Sequence, residues 1–317
     1  MSAAVITVTL NPALDKTVTL EELQVGALNR VRASRVDPGG KGINVAKVLG
    51  NFQVSVTATG FVGGYSGRQL LEGLDELGVQ HAFIQVDEET RTNLKIVDVS
   101  TSITTEINER GSLIKETNML EFMEQMESML EGAEVLVLGG SIPPGIPPGI
   151  YRTLTDMASH KNVKTILDAD GEALAEGLQG KPYAIKPNIH ELEQLVNRKL
   201  ESMEAIVQAC RGLLQEGIQL VVVSMGADGA IFASADEVLK TSPFSIKPKS
   251  TVGAGDSMVA SMASSIIAGH DLERLARAAT AAGSITASKE GTEVCSKNEV
   301  NESMSLVGID HVDCLDE

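Results

Sequence analysis

The sequence predicts an α/β fold: a mostly parallel central sheet with helices on both faces, plus a small β-sheet lid. Three observations predict it. Short β-branched runs alternate with segments of helical periodicity along most of the chain, the pattern of strand–helix–strand units. Some runs are apolar throughout, such as Leu-Val-Val-Val at 220–223, which implies a strand covered on both sides. Two other stretches alternate polar with apolar residues, which implies strands with one open face.

Taken in order, residues 4–10 (AVITVTL) read as a buried strand, and residues 42–51 (GINVAKVLGN) place apolar side chains at helical spacing. A strand over 54–61 precedes a helix over 66–77. The next pairs are strand 135–138 with helix 148–159, strand 163–168 with helix 172–177, and strand 183–186 with helix 190–196. A helix over 203–216 leads into a strand over 220–224, and residues 257–268 form a helix of small and apolar residues. The two exceptions are 17–36, with Gly26 as a turn, and 91–108, which reads as two strands (RTNLKIVDV and ITTEIN) around a polar turn. They are expected to be antiparallel strands of a lid formed from about 15–37 and 90–109. An edge extension of the main sheet is the alternative. An exposed sheet face of this kind often meets a partner, so a homodimer through the β-lid is expected. There is no repeat, low-complexity segment or flexible linker, and residues 1–317 read as a single domain.

The chain carries 43 acidic and 26 basic residues, a net charge of −17. Such a surface repels nucleic acid phosphates, so a nucleic-acid partner is not expected. It also repels small phosphates, so a site that handles them needs a locally basic pocket. Cys210, Cys295 and Cys314 are odd in number and widely spaced. That argues against a disulfide framework or a zinc site and fits a reducing cytoplasm. Neither a signal peptide nor a membrane span is legible. Only the acidic end, 310–317, suggests disorder.

Six segments carry candidate chemistry. Residues 251–256 (TVGAGD) open the helix at 257–268. Two glycines permit a tight turn that exposes N–H groups at a helix N-terminus, where the dipole favours negative charge. Gly253, Ala254 and Gly255 then form an anion hole, and Asp256 on the first turn can take a proton from an attacking hydroxyl. An ordinary N-cap Asp is the plain alternative. Residues 37–44 (DPGGKGIN) form a second Gly-rich loop before a helix, without the spacing of a P-loop. Gly39 and Gly40 allow close approach of a ligand, Lys41 supplies a cation and Asn44 an amide for sugar hydroxyls. The alternative is a surface turn with a solvated lysine.

At 186–191 (KPNIHE), Lys186 can reach a nucleotide phosphate. Asn188 and Glu191 share a helix face and can hold Mg²⁺ through water. They equally fit a capping box. Residues 224–230 (SMGADGA) make a turn on whose backbone a nucleotide can lie, or merely a turn. Asp15, in the run NPALD, follows the first strand and can grip sugar hydroxyls at a strand's carboxyl end. Arg91, Asn93 and Lys95 alternate along a lid strand, so they share one face. They can supply the local positive pocket, or form a solvated strand face.

Together and in this order, these motifs resemble the ribokinase-like (PfkB) family of carbohydrate kinases, and within it the sugar-phosphate kinases. The resemblance runs from TLNPALD through PGGKGINVAKVL, GGSIPPG, KPNIHEL and SMGADGA to STVGAGDSMVA, nearly the whole chain. It implies a three-layer α/β core of nine or so strands with a β-lid, ATP and Mg²⁺ as cofactors, and a cytoplasmic phosphotransferase. By resemblance, Asp256 is the base and Gly253, Ala254 and Gly255 the anion hole. Asp15, Gly39, Gly40, Lys41, Asn44 and Asn93 contact the sugar, and Arg91 and Ser141 its phosphate end. Lys186, Ser224, Gly226, Gly229, Gly253 and Gly255 contact the nucleotide, and Asn188 with Glu191 forms the magnesium element. The runs Thr90 to Lys95 and Thr105 to Asn108 resemble the subgroup acting on fructose 1-phosphate. Kinases of tagatose 6-phosphate or fructose 6-phosphate are the alternatives. A non-catalytic sugar-phosphate sensor is the reading from another class, and the intact Asp256, Gly253, Gly255 and Lys186 count against it.

Overall fold

The structure is a computed structural model and describes residues 4–101 and 103–312. In chain order its strands and helices are β1 (Val5–Thr9), β2 (Ala13–Leu20), β3 (Ala33–Gly39), α1 (Lys41–Asn51), β4 (Val56–Gly63), α2 (Gly64–Glu76), β5 (Gln80–His81), β6 (Ile84–Val86), β7 (Arg91–Asp98), β8 (Ile103–Asn108) and α3 (Glu116–Met129). Then follow β9 (Val135–Gly139), α4 (Ile150–His160), β10 (Lys164–Asp168), α5 (Gly171–Leu178), β11 (Ala184–Ile185), α6 (Ile189–Leu195), α7 (Met203–Gln215) and β12 (Leu220–Ser224). The chain ends with β13 (Ala230–Ala233), β14 (Val238–Ser242), α8 (Ala254–Ile267), α9 (Leu272–Ala287), α10 (Lys297–Ser303) and β15 (Gly308–His311).

The main sheet has 11 strands in the order β15-β14-β13-β12-β11-β10-β9-β1-β4-β5, with β6 also on β4. That is more than the nine or so expected, because β13, β14 and β15 add an antiparallel edge. The remaining pairings are parallel. Part of the acidic end is thus an edge strand at 308–311, and Cys314 lies outside the described residues. Strands β1 and β12 are buried along nearly their whole length because both faces are covered. Val222 belongs to the core that α1, α8 and α9 build on one face. Val221 and Val223 belong to the core that α4 and α7 help build on the other.

The chain starts in the middle of this sheet. From β1 it grows one way through β4 and β5, and the other way through β9 to β12. The strand order reverses at β1, and open α/β sheets bind ligands at the carboxyl ends of the strands beside such a reversal.

A separate four-stranded sheet, ordered β3-β2-β7-β8, confirms that the two alternating stretches leave the main sheet. One expectation is corrected. β2 and β7 run parallel, and only the β2–β3 and β7–β8 pairs are antiparallel. β2 and β7 are separated by the β3–α1–β4–α2 excursion, so each enters the lid from the same end.

Candidate active site

At the carboxyl edge of the sheet stand the residues that end the parallel strands: Asn11 after β1, Ser141 after β9, Asp168 closing β10, Lys186 after β11 and Ser224 closing β12. Two helix N-termini face the same region. Gly40, at φ 123°, precedes α1 and lets the chain turn from lid strand β3 directly into the helix. Gly253, at φ 77°, does the same for α8.

Asp256 lies on the first turn of α8 and is 8% exposed. Its carboxylate accepts a hydrogen bond from Asn44 Nδ2 at 2.8 Å, so two motifs 212 residues apart meet. It does not cap its helix, because α8 has no side-chain cap and Gly253 occupies that position. The plain N-cap reading therefore fails. Burial, then the nearby Asp168, pushes the Asp256 carboxyl up to about 6 against the pull of Asn44, Lys41 and Lys186. The amides of Gly253 and Gly255 take no hydrogen-bond partner among the described residues, and Ala254 N makes one long bond of 3.4 Å to the Thr251 carbonyl. These donors remain available to an anion. Lys186 stands against them: a methyl group at Gly255 would sit 3.3 Å from its Nζ.

The local basic pocket demanded by the net charge is a pair of lysines bridged by a carboxylate that the motif reading does not single out. Lys41 Nζ lies 3.0 Å and Lys186 Nζ 3.5 Å from the same oxygen of Asp168. Asp168 is 3% exposed. Burial opposes its charge, yet Lys186 and Lys41 hold its carboxyl below the usual range. Burial likewise opposes charge on Lys41, and Asp168 overcomes it so that the ammonium is held more firmly than usual. The two cations offset Asp168 and, when it is ionised, Asp256, so the anion hole sits in a locally balanced spot within a strongly acidic chain. Asp168 ends an apolar strand just as Asp15 follows one, and that signal was there to find it.

At the lid, Asp15 is already engaged. Its Oδ2 meets Lys95 Nζ at 2.9 Å and its Oδ1 accepts from Asn93 Nδ2 at 3.2 Å. Lys95 is thus neutralised rather than free, which corrects its expected share in the positive pocket. Gly39 backs onto the Asp15 carboxylate, with no room for a side chain. Arg91 donates to the carbonyls of Asn11 (2.9 Å) and Glu109 (2.7 Å), and its Nε is buried without a partner among the described residues. Asn93 Oδ1 is also buried and unpartnered. Asn11 ties this corner together by donating to Ser141 Oγ at 3.0 Å and to the Arg110 carbonyl. Buried polar atoms without partners are costly, and this corner holds one open donor, Arg91 Nε, and one open acceptor, Asn93 Oδ1.

Asn188 and Glu191 form the capping box of α6. Asn188 Oδ1 accepts from Glu191 N at 2.9 Å, and Glu191 Oε2 from Asn188 N at 2.8 Å. Among the described residues no group of three or more His, Cys, Asp or Glu side chains is set to hold a metal directly. Glu191 Oε1 takes no partner among the described residues, and Glu191 is near enough to act on the charge of Lys41. An acceptor of that kind fits a cation held through water. Ser224 sits beside Asn188, its amide donating to the Pro187 carbonyl at 3.0 Å. Gly226 and Gly229, both at positive φ, form the turn after β12.

Residues 8–299 match the pfkB family of carbohydrate kinases. A 1-phosphofructokinase of Bacillus subtilis (strain 168) is 38% identical over 291 residues, which are 91% of this chain and 95% of the relative. A 1-phosphofructokinase of Xanthomonas campestris is 40% identical over 288 residues, 89% of this chain and 90% of the relative. Among solved structures, phosphofructokinase-2 from Escherichia coli in complex with substrates and products superposes with a TM-score of 0.90 at 31% identity, covering 95% of this chain and 98% of that one.

Proposed function

This chain belongs to the pfkB family of carbohydrate kinases, and from that premise we propose that it is an ATP-dependent 1-phosphofructokinase, converting fructose 1-phosphate and ATP to fructose 1,6-bisphosphate and ADP. The 1-phosphofructokinases at 38% and 40% identity support that substrate. The observation that carries the chemistry is Asp256, a buried carboxylate held by Asn44 beside unpartnered amides at a helix N-terminus. A carboxyl pushed up to about 6 is a competent base near neutral pH.

In this reading the 6-hydroxyl of the sugar lies at Asp256. Its oxygen attacks the terminal phosphorus of ATP while its proton passes to the Asp256 carboxylate. The new sugar O–P bond forms as the bond from the terminal phosphorus to the bridging oxygen breaks, and ADP leaves with that electron pair. The amides of Gly253, Ala254 and Gly255 stabilise the transferring group, and Lys186 and Lys41 offset its charge. Ser224, Gly226 and Gly229 receive the nucleotide. Asp15, Gly39, Gly40, Asn44 and Asn93 receive the sugar, and Arg91 and Ser141 its 1-phosphate. Asn188 and Glu191 would hold Mg²⁺ through water. When bound, the ion supplies positive charge against the ATP phosphates. Closure of the lid over the sugar excludes water and so limits hydrolysis of ATP. The chain works as one kinase domain that includes the lid.

The lid also suits self-association. Among the described residues, seven of the twelve exposed large apolar side chains lie in or beside it: Val25, Leu28, Val31, Val36, Val99, Ile103 and Ile107. A homodimer would bury that face. No helix among the described residues is long and apolar enough to cross a membrane, and the reaction is one of cytoplasmic metabolism.

The second reading places the existing phosphate at the other end of the sugar, as the likeness to phosphofructokinase-2 allows. Initial rates of ADP release with fructose 1-phosphate, fructose 6-phosphate and tagatose 6-phosphate separate the two. The proposal predicts the highest kcat/KM for fructose 1-phosphate. Preference for either 6-phosphate contradicts the substrate, and ATP-independent binding without ADP release contradicts the enzyme.

A further inference from the structure

Lys47 has no place in the mechanism above, yet it lies at the centre of the site's connections. It follows Asn44 by one turn of α1 and is 8% exposed. Its Nζ donates to the Pro38 carbonyl, just before the turn into α1, and approaches Asn44 Oδ1 at 3.4 Å. Asn44 Nδ2 in turn donates to Asp256 Oδ2 at 2.8 Å. A carboxamide presents an acceptor on one side and a donor on the other. Turned over, the Asn44 amide would aim its carbonyl at the Asp256 carboxylate and its NH₂ at the Lys47 ammonium, and both contacts would repel. Lys47 and Asp256 therefore select the same orientation of Asn44.

The charge is costly to keep. Lys47 makes no ion pair within 4.0 Å among the described residues. Burial lowers its ammonium to about 8, against Asp37 on β3, Asp15 on β2 and Asp256 on α8, while Arg35 on β3 adds to the lowering. An apolar side chain of similar volume is commonly cheaper at such a position. A buried cation that is not neutralised by a partner calls for a role other than stability.

We infer that Lys47 is a positioning residue for phosphoryl transfer, one that fixes the Asn44 amide on Asp256 and at the same time ties the end of lid strand β3 to the catalytic helix pair. The inference rests on the reading of Asp256 as the base. It extends that reading by linking the sugar-binding loop to the base through one ammonium group.

The test uses Lys47→Met and Lys47→Arg in the full chain, with ATP and fructose 1-phosphate as probes. For Lys47→Met, kcat falls about 10-fold or more, the scale of one lost charge-assisted hydrogen bond in the transition state. KM for ATP stays within about twofold, and the acid limb of kcat/KM moves to higher pH as Asp256 loses its oriented donor and a nearby cation. Lys47→Arg, which keeps charge and donors, recovers most of kcat. A merely structural lysine would shift the melting temperature and leave the acid limb in place. If Lys47→Met does not fold, Lys47→Gln, which keeps donors without charge, is read by the same criteria. A folded neutral variant with wild-type kcat and acid limb overturns the inference, as does an arginine variant that falls as far as the neutral one. An active wild type with an indifferent Lys47 removes only this inference. A wild type that phosphorylates no sugar phosphate removes the functional reading itself.

Discussion

The strand ends and the lid both hold charged side chains where ligands are expected, but they hold them differently. At the strand ends, charge is balanced inside a rigid sheet. Asp168 serves two lysines, and Asp256 is held by Asn44, with Asp168, Lys186 and Asp256 all buried. In the lid, β8 is exposed along its whole length, while the Asp15–Lys95 pair and Asp98 are buried. Arg91 is half-buried with one nitrogen unpartnered. The rigid region is suited to chemistry, which needs donors fixed before the reaction. The lid is suited to recognition and association, which can tolerate movement. Substitutions in the two regions are therefore expected to separate kcat from KM.

The sharpest form of that contrast is Asp168→Asn. It leaves Lys41 and Lys186 facing one another across a neutral group, so kcat is expected to drop about 10²-fold with KM for the sugar changed little. Steady-state kinetics with both substrates would show it. A rise in sugar KM with kcat intact would break the division between the regions. In the lid, Arg91→Met should do the reverse. Loss of a charge-assisted contact of about 1.5–3 kcal/mol corresponds to a KM for sugar phosphate raised roughly 10- to 100-fold, with kcat lowered less. Equal losses for a sugar without its 1-phosphate would place Arg91 elsewhere than at the phosphate. The smallest effect on turnover is expected from Ile107→Asp on the outer lid face, where the side chain is 54% exposed. Light scattering should show the dimer of the unaltered chain giving way to monomer. A monomeric wild-type chain would remove the lid-to-lid contact from the account.

How far the fold could be read from sequence follows from how local each signal is. The apolar run at 220–223 specifies a two-sided strand by itself, and the alternation at 91–98 specifies a one-sided one. The parallel partnership of β2 and β7 was not legible, because it depends on an excursion through the main domain. Helices α3 and α9 and the antiparallel edge β13–β14 carry weaker patterns. α9 is rich in alanine on nearly every face, being largely buried, and that hides a 3.6-residue period.

The site divides the same way. Asp256, Lys41 and Asn44 belong to glycine loops whose geometry is written in adjacent residues. Asp168 and Lys47 do not. Asp168 acquires its role from Lys41, 127 positions away in sequence. Lys47 reads on a helical wheel as an ordinary polar residue until the fold brings Pro38, Asn44 and Asp256 around it. The capping reading of Asn188 and Glu191 proved correct in geometry, and it still leaves Glu191 Oε1 for a hydrated ion.

The claim on which the account turns is that Asp256 takes the proton of the sugar hydroxyl. The ionised carboxylate is the active form, so kcat/KM of the unaltered chain should fall as pH drops through about 6. Because burial raises this carboxyl in the folded state, its ionisation works against folding. The stabilisation that comes with its proton is complete below about 4 and is lost as pH rises through about 6. Asp256→Asn is therefore expected to melt no lower than the wild type at pH 7.5. The decisive measurement is single-turnover transfer from ATP to fructose 1-phosphate by Asp256→Asn, with sugar binding followed by calorimetry on the same sample. Sugar affinity is expected within about fivefold of wild type and transfer slowed by about 10²–10⁴-fold, with no acid limb near pH 6. Transfer within tenfold of wild type in a variant that binds the sugar normally would contradict the claim.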